Sequence, residues 1–151
     1  MATHVAGIIS DQSAAAATAF PRVELNPVAR TIFVTEFGIS MNAAPNSTAV
    51  PNSFRVYRNT LVATGTAATG GKLNSDLATA LDAAGLVECS AIGAGTVTEL
   101  HRLYVPVVSG VIWVAAPGRE FDCIAAEFVG IQNQAALPAS INAETYMVWE
   151  E

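Results

Sequence analysis

The feature that most constrains how this chain can fold is a succession of short β-branched and aromatic runs, separated by stretches rich in Gly, Pro, Asn and Ala. Apolar and polar residues alternate along several runs, as they do in strands that bury one face and expose the other. The runs do not alternate with helix-length amphipathic segments, as strands do in α/β proteins. The pattern therefore predicts an all-β fold: an antiparallel β-sandwich, jelly-roll-like, with about eight strands.

The strand positions follow from these runs. Eight predicted strands cover residues 3–9, 18–25, 31–41, 54–57, 97–108, 111–116, 121–131 and 141–149, and residues 86–92 are a further strand candidate. The run 31–41 is apolar at both parities, and we expect it to lie between two other strands of its sheet.

One segment has helical character. Leu73, Leu77 and Leu81 recur every four residues, four alanines lie at positions 78, 80, 83 and 84, and Gly85 stands where helices commonly end. The sequence therefore predicts one short helical insert over residues 74–84.

The scarcity of charge limits how the surface can be used. The 151 residues suit a single domain, with an extended N-terminal segment over residues 1–20. Only 13% of the residues are charged, whereas about 25% is usual for a soluble domain. A surface with so few ionised side chains is either small and neutral or covered by partners. We therefore expect a protein that binds other protein surfaces.

The sign of the charge argues against two classes of partner. The net charge is −6, and Lys72 is the single lysine of the chain. Nucleic acids and anionic membranes are both held by clustered cations, which this sequence lacks. No apolar run approaches the roughly 20 residues of a membrane helix, and the N-terminus does not resemble a signal peptide.

The residues that could carry chemistry are few. His4 and His101 are the two histidines, and no serine or cysteine is spaced from them as in a known hydrolase motif. Glu99 and His101 would share one face of a regular strand, but they lack a third metal ligand. Glu120 and Asp122 could form a carboxylate pair of the glycosidase kind. We expect no catalytic residue, no metal and no cofactor, and we interpret the chain as non-enzymatic.

Cysteines and tryptophans are interpreted as core residues. Cys89 and Cys123 lie in apolar contexts that favour buried free thiols, although a disulfide between them is also compatible with the sequence. Trp113 and Trp149 lie in hydrophobic strands, where core packing is the simpler explanation.

Several segments give the chain a recognisable strand texture: Leu-Tyr-Val-Pro at 103–106, Gly-Val-Ile-Trp at 110–113, a Pro-Gly turn at 117–118, Tyr-Met-Val-Trp-Glu-Glu at 146–151, and Ile-Phe-Val-Thr-Glu-Phe-Gly-Ile at 32–39. This texture resembles that of small structural proteins of tailed bacteriophages. It covers about two-thirds of the chain and includes no diagnostic motif.

The resemblance implies a virion component, a decoration or cement protein on the capsid surface. Such proteins are often homotrimers, and they bind the major capsid protein across neighbouring capsomers. Partner contacts are expected in the N-terminal segment and in the polar loop 42–53, at Thr3, His4, Gln12, Ser13, Asn46, Ser47 and Asn52.

Two other functions remain open at this point. A carbohydrate-binding jelly-roll module of a phage fibre or tail would present Trp113, Tyr57 or Tyr104 as an exposed platform in a shallow groove. An enzyme would need a site that the sequence does not reveal.

Overall fold

The regular structure consists of β-strands. The computed structural model describes residues 5–13, 21–42, 52–73, 80–106, 109–135, 137 and 141–151, with the backbone alone at 11–13. These residues form twelve strands: β1 Val5–Ser13, β2 Pro21–Asn26, β3 Ile32–Asn42, β4 Asn52–Asn59, β5 Thr64–Ala68, β6 Gly71–Lys72, β7 Ala84–Ala91, β8 Val97–Val105, β9 Gly110–Val114, β10 Phe121–Cys123, β11 Phe128–Asn133 and β12 Asn142–Glu150.

The strands pair into two antiparallel sheets. Sheet A has the order β10-β3-β12-β1-β6, and β9 pairs with β3 along the same edge as β10. Sheet B has the order β5-β7-β2-β11-β4-β8. The two sheets pack face to face, which confirms the predicted β-sandwich.

Eight of the strands have the connectivity of a jelly roll. Sheet A contains the row β1-β12-β3-β9, and sheet B contains the row β2-β11-β4-β8. Most consecutive strands of this set alternate between the two sheets, as in two Greek keys folded together. Between β4 and β8 the chain adds β5, β6 and β7, which extend both sheets beyond β1 and β2.

The core lies between the two sheets. Along β12, Ala143, Thr145, Met147 and Trp149 are buried, and the residues between them are more exposed. This period of two is expected for a strand with one face against the core. Sheet B contributes the opposite layer, which includes Val23, Leu25, Phe54, Val56, Val129 and Ile131.

A β-bulge explains why β3 looked apolar at both parities. Ile32 and Val34 are buried, and further along Phe37 and Ile39 are buried, so the buried parity reverses around Thr35. The register of β3 against β12 shifts at the same place. The extra residue reverses the direction of the side chains beyond it, so the apolar residues of both halves face the core although they stand at opposite parities. As predicted, β3 is paired on both of its sides.

The described part of the segment that was predicted as a helix contains no helix. Residues 74–79 lie outside the described residues, residues 80–83 form no regular element, and β7 begins directly after them. Gly85, predicted to end the helix, lies inside β7. A Cβ there would come within 2.2 Å of Ile8 Cδ1, so the glycine lets sheet B approach sheet A closely.

Two carboxylates hold the connection between the sheets. Asp82 Oδ2 accepts hydrogen bonds of 2.9 to 3.1 Å from the backbone N–H groups of residues 28–30, in the turn that joins β2 to β3. The Glu151 carboxylate accepts bonds from the N–H groups of Asp82 (2.7 Å) and Ala83 (3.0 Å). Glu151 therefore holds residues 82–83 in place, and Asp82 holds the turn at residues 28–30.

Candidate protein-binding surface

The outer face of sheet A carries exposed apolar side chains in neighbouring strands. In one row of the sheet, Ile9 of β1 lies opposite Tyr146 of β12, which lies opposite Gly38 of β3, which lies opposite Ile112 of β9. The adjacent row includes Val148 and Val114. We call Ile9, Ile112, Val114, Tyr146 and Val148 the apolar band.

The members of the band differ in exposure. Ile9, Ile112 and Val114 are each about three-fifths exposed (60%, 65% and 62%), and Tyr146 and Val148 are half-buried. Large apolar side chains grouped on one face are a common sign of a contact with another protein.

Tyr146 occupies the centre of the band in a fixed orientation. Its ring lies over Gly38, where an added Cβ would be 2.2 Å from Tyr146 Cε1. Its hydroxyl donates a 2.6 Å hydrogen bond to Glu36 Oε1. Burial, and secondarily the bond to Glu36, raises the pKa of Tyr146 to about 12. The tyrosine is therefore a neutral, preoriented aromatic surface, the kind of residue that often anchors protein interfaces.

Shallow grooves lie on both sides of Tyr146. One, of about 310 Å³, runs between β3, β9 and β12 and is lined by Ile39, Ser40, Gly110, Val111, Ile112, Glu144 and Tyr146. The other, of about 260 Å³, runs between β1, β6 and β12 and has Lys72 as its one charged lining residue. Grooves with this largely apolar lining can receive apolar side chains.

The outer face of sheet B contains a buried polar cluster. The Tyr57 hydroxyl donates to Glu24 Oε2, and the Ala63 N–H donates to Glu24 Oε1 at 2.7 Å. Nearby, Arg22 Nε donates to Asn133 Oδ1 at 3.0 Å. All five residues are buried, with Ala63 the most exposed at 6%.

Burial shifts the pKa values of this cluster. Burial raises the pKa of Glu24, against the effect of its hydrogen bonds from Ala63 and Tyr57. Burial also lowers the pKa of Arg22 to about 10 and, together with Glu24, raises the pKa of Cys89 to about 12. A thiol with such a pKa is not a thiolate at neutral pH, so Cys89 is not an activated nucleophile.

A second bulge separates the predicted ligand pair in β8. Glu99 lies opposite Tyr57, and His101 lies opposite Val56, so Leu100 is the extra residue. Since Tyr57 and Val56 are neighbours in β4, their partners face opposite sides of sheet B. The prediction that Glu99 and His101 share one face is therefore wrong.

The two residues have separate environments. Glu99 forms a two-point ion pair with Arg102, with contacts of 2.5 and 2.8 Å. The His101 ring lies 6.1 to 6.3 Å from the rings of Phe37, Trp113 and Phe121. His101 therefore helps to close the side of the sandwich between β8 and the β9–β10 edge.

The predicted carboxylate pair is also divided. Asp122 pairs with Arg58 Nη2 at 2.6 Å, and Glu127 lies 3.4 Å from Arg58 Nε. Glu120 instead accepts a 3.0 Å bond from the Gly118 N–H in the adjoining turn. In the part of the chain that the structure describes, no group of three or more His, Cys, Asp or Glu side chains is placed to hold a metal ion.

The cysteines and tryptophans occupy the environments predicted for them. Cys89 and Cys123 are buried and form no disulfide with each other. Trp149 is fully buried, and Trp113 stacks against the core with its centroid 5.1 Å from that of Phe37 and 4.6 Å from that of Phe121.

The aromatic residues do not form the platform that sugar recognition would need. Tyr57 is buried and Trp113 is engaged in its stack, which leaves Tyr104, 65% exposed, alone among the three candidates. One exposed ring is weak support for a carbohydrate module.

The predicted contact residues fall into two groups. Thr3, His4, Asn46 and Ser47 lie outside the described residues, as do positions 1–4 and 14–20 of the predicted N-terminal segment. Gln12 and Ser13 lie in β1, opposite Ala143 and Asn142 of β12, and Asn52 begins β4 in the other sheet, opposite Val105. A contact role for these residues stays a prediction.

The apolar band was missed by the sequence analysis. The run 111–114 is apolar at both parities, which is typical of a strand buried on both faces. Ile112 and Val114 are exposed because they lie on the outer face of sheet A, which the described residues leave uncovered there, and periodicity does not reveal this. The alternation of β12 contains a signal, because Tyr146 and Val148 stand at positions where polar residues are usual.

Comparison of the chain with protein-family models, with curated proteins and with solved structures gives no significant match. Among the described residues, no helix has the length and apolar character needed to cross a membrane. The resemblance to phage structural proteins therefore stays a prediction from sequence.

Proposed function

We propose that this protein is a structural component of a virion, a decoration or cement protein that stabilises the shell by binding the major capsid protein across capsomer contacts. It would act as a homo-oligomer, with a trimer favoured, on the capsid surface. The phage setting comes from the sequence resemblance, and the role in assembly is supported by the surface of the molecule.

The apolar band is the observation that carries this proposal. It gives one sheet face a group of exposed aliphatic side chains around an oriented tyrosine, in a chain with only 13% charged residues. Burying such a face on another protein removes apolar area from water at about 25 cal/mol per Å². The jelly roll itself is used by capsid proteins, lectins and cupins, and it does not by itself decide between functions.

The mechanism is linkage between binding and the closed shell. A protein that binds across a capsomer contact stabilises the intact shell and not the ruptured one, by the free energy of its own binding. Many symmetric copies let a modest affinity per copy produce a large total effect.

The test uses purified particles of a phage that encodes the chain. Quantitative mass spectrometry should find the protein at a fixed ratio to the major capsid protein. Particles that lack it should release their DNA at a lower temperature, and purified protein added back should restore the original value. Absence of the chain from particles, or an unchanged release temperature with and without it, would contradict the proposal.

A further inference from the structure

The free edge of β9 is unusual among the sheet edges of the described residues. β9 pairs with β3 on one side, and no other described strand pairs with it on the other. Its residues are Gly-Val-Ile-Trp-Val, with no charge and no proline. Proteins usually place charged residues or proline in an edge strand, because its unpaired N–H and C=O groups can otherwise pair with another strand.

Other edges of the two sheets are protected or poorly suited to pairing. β8 carries the Glu99–Arg102 ion pair, β10 carries Asp122, and β6 has two residues, of which one is Lys72. β5 has only small side chains, and its register is interrupted by a bulge.

The hydrogen-bond pattern shows which groups of β9 face outward. Met41 N donates to Ser109 O, and Ala115 N donates to Thr35 O, at the two ends of the β3–β9 pairing. Residues alternate in the direction of their N–H and C=O groups along an antiparallel pair. The odd-numbered residues from 109 to 115 therefore bond to β3, and Gly110, Ile112 and Val114 direct their backbone groups to the free edge.

We infer that the free edge of β9 binds the same edge of a second copy of this chain, antiparallel and centred on Ile112. In this register Ile112 lies opposite Ile112, and Gly110 of each copy lies opposite Val114 of the other. Each of these directly opposed pairs can exchange two backbone hydrogen bonds. The strand carries no charge, so two copies meet without repulsion between like charges.

The side chains fit the same register. Val114 projects from the outer face with 62% exposure, and Gly110 has no side chain and lines the groove of about 310 Å³ beside Tyr146. Val114 of one copy would enter the groove of the other. The apolar rows of the two outer faces would then become continuous across the junction.

This contact goes beyond the proposed function and does not depend on it. It has two-fold symmetry, so it joins copies in pairs. In the proposed trimer it would link one trimer to the next across the shell.

Variants with one added cysteine test the register. Opposed residues of a hydrogen-bonded pair have Cα atoms about 5.5 Å apart, within disulfide reach, so Ile112→Cys should give a covalent dimer under mild oxidation. Val114→Cys is the matched control, with the same strand, face and exposure. Its symmetry mate lies four residues away, about 14 Å, which is too far for a bridge. The native cysteines are buried and should not compete.

We expect Ile112→Cys to cross-link about tenfold faster than Val114→Cys, since only the first pair of thiols lies within reach. An equimolar mixture of Gly110→Cys and Val114→Cys should give the mixed dimer. Equal rates for Ile112→Cys and Val114→Cys, or no cross-linking of Ile112→Cys, would overturn the inference. Independently, Ile112→Lys should abolish the association of two copies through β9 in sedimentation experiments. Ile9→Lys, on the same face but away from the edge, should leave this association unchanged. If the protein does not bind capsids but Ile112→Cys still cross-links, the result would count against the capsid role alone.

Discussion

Tyr146 shows how single residues can prepare a surface for binding. Gly38 has no side chain, so the Tyr146 ring packs directly on the backbone there, and Glu36 accepts a hydrogen bond from the hydroxyl. An aromatic side chain fixed in this way loses little conformational entropy when a partner covers it. Most of the cost of ordering the centre of the apolar band is therefore met when the chain folds.

The seat under Tyr146 can be tested by substitution. Gly38→Ala places a methyl group within the space of the ring, so the free energy of unfolding should fall by about 1 to 3 kcal/mol. Tyr146→Phe keeps the ring and loses one hydrogen bond, which should cost about 0.5 to 1.5 kcal/mol. Urea unfolding measures both.

Gly71→Ala is the control for this pair, because an added Cβ there meets nothing within 4 Å. Its effect should stay within about 0.5 kcal/mol. A Gly38→Ala protein as stable as the Gly71→Ala protein would show that the ring does not rest on Gly38.

Among the secondary-structure elements, the connection between β2 and β3 depends on two carboxylates. Asp82 receives three backbone N–H groups from the turn, and Glu151 positions Asp82. Burial raises the pKa of Asp82, but the bonds from Ala29, Arg30 and Val28 and the charge of Arg30 lower it more, so the net shift is downward. The folded state therefore favours the ionised carboxylate.

The stability contributed by Asp82 should depend on pH in a defined direction. A folded pKa below the unfolded value of about 3.9 gives stability that is fully present above that value and is lost as the pH falls through the folded pKa. Asp82→Asn should thus cost about 1 kcal/mol at pH 7 and less at pH 3. Urea unfolding at both pH values isolates the difference.

Glu144→Gln, at an exposed carboxylate on sheet A, is the control and should change stability by less than about 0.5 kcal/mol at either pH. An Asp82→Asn cost that is the same at pH 7 and pH 3 would contradict the role of the charge.

The success of sequence analysis differed between elements for physical reasons. A strand such as β12 could be predicted because its alternation is a direct consequence of burying one face. The end of the predicted helix was misjudged because alanine favours helix locally, whereas pairing with β2 and β5 places residues 84 and 85 in β7. Residues 82 and 83 instead donate their backbone N–H groups to the Glu151 carboxylate. The run 121–131 proved to be two strands in different sheets, since the chain turns at Ala126, with φ 70°.

Side-chain direction was harder to predict than strand position. One inserted residue, near Thr35 in β3 and at Leu100 in β8, reverses the face of every residue beyond it. For this reason the Glu99–His101 pair could not be judged from spacing. The apolar band also required the packing of the two sheets, because one face of a wholly apolar run such as β9 is exposed only if nothing covers that face of its sheet.

At the scale of the whole molecule the two outer faces differ. Sheet B contains a polar cluster that is buried and internally bonded, and sheet A presents exposed aliphatic side chains around Tyr146. A sandwich with one such apolar face is suited to cover another protein, and the free edge of β9 adds a route to a second copy. We propose that the outer face of sheet A is the surface that contacts the shell.

Hydroxyl-radical footprinting of the protein, free and bound to purified particles, tests this claim most directly. Tyr146, Ile9 and Val148 should be labelled several-fold less in the bound protein, because a partner covers them. Tyr104, which is exposed on sheet B, should be labelled equally in both states. Labelling of Tyr146 that does not change on binding, or protection of Tyr104 in its place, would contradict the assignment.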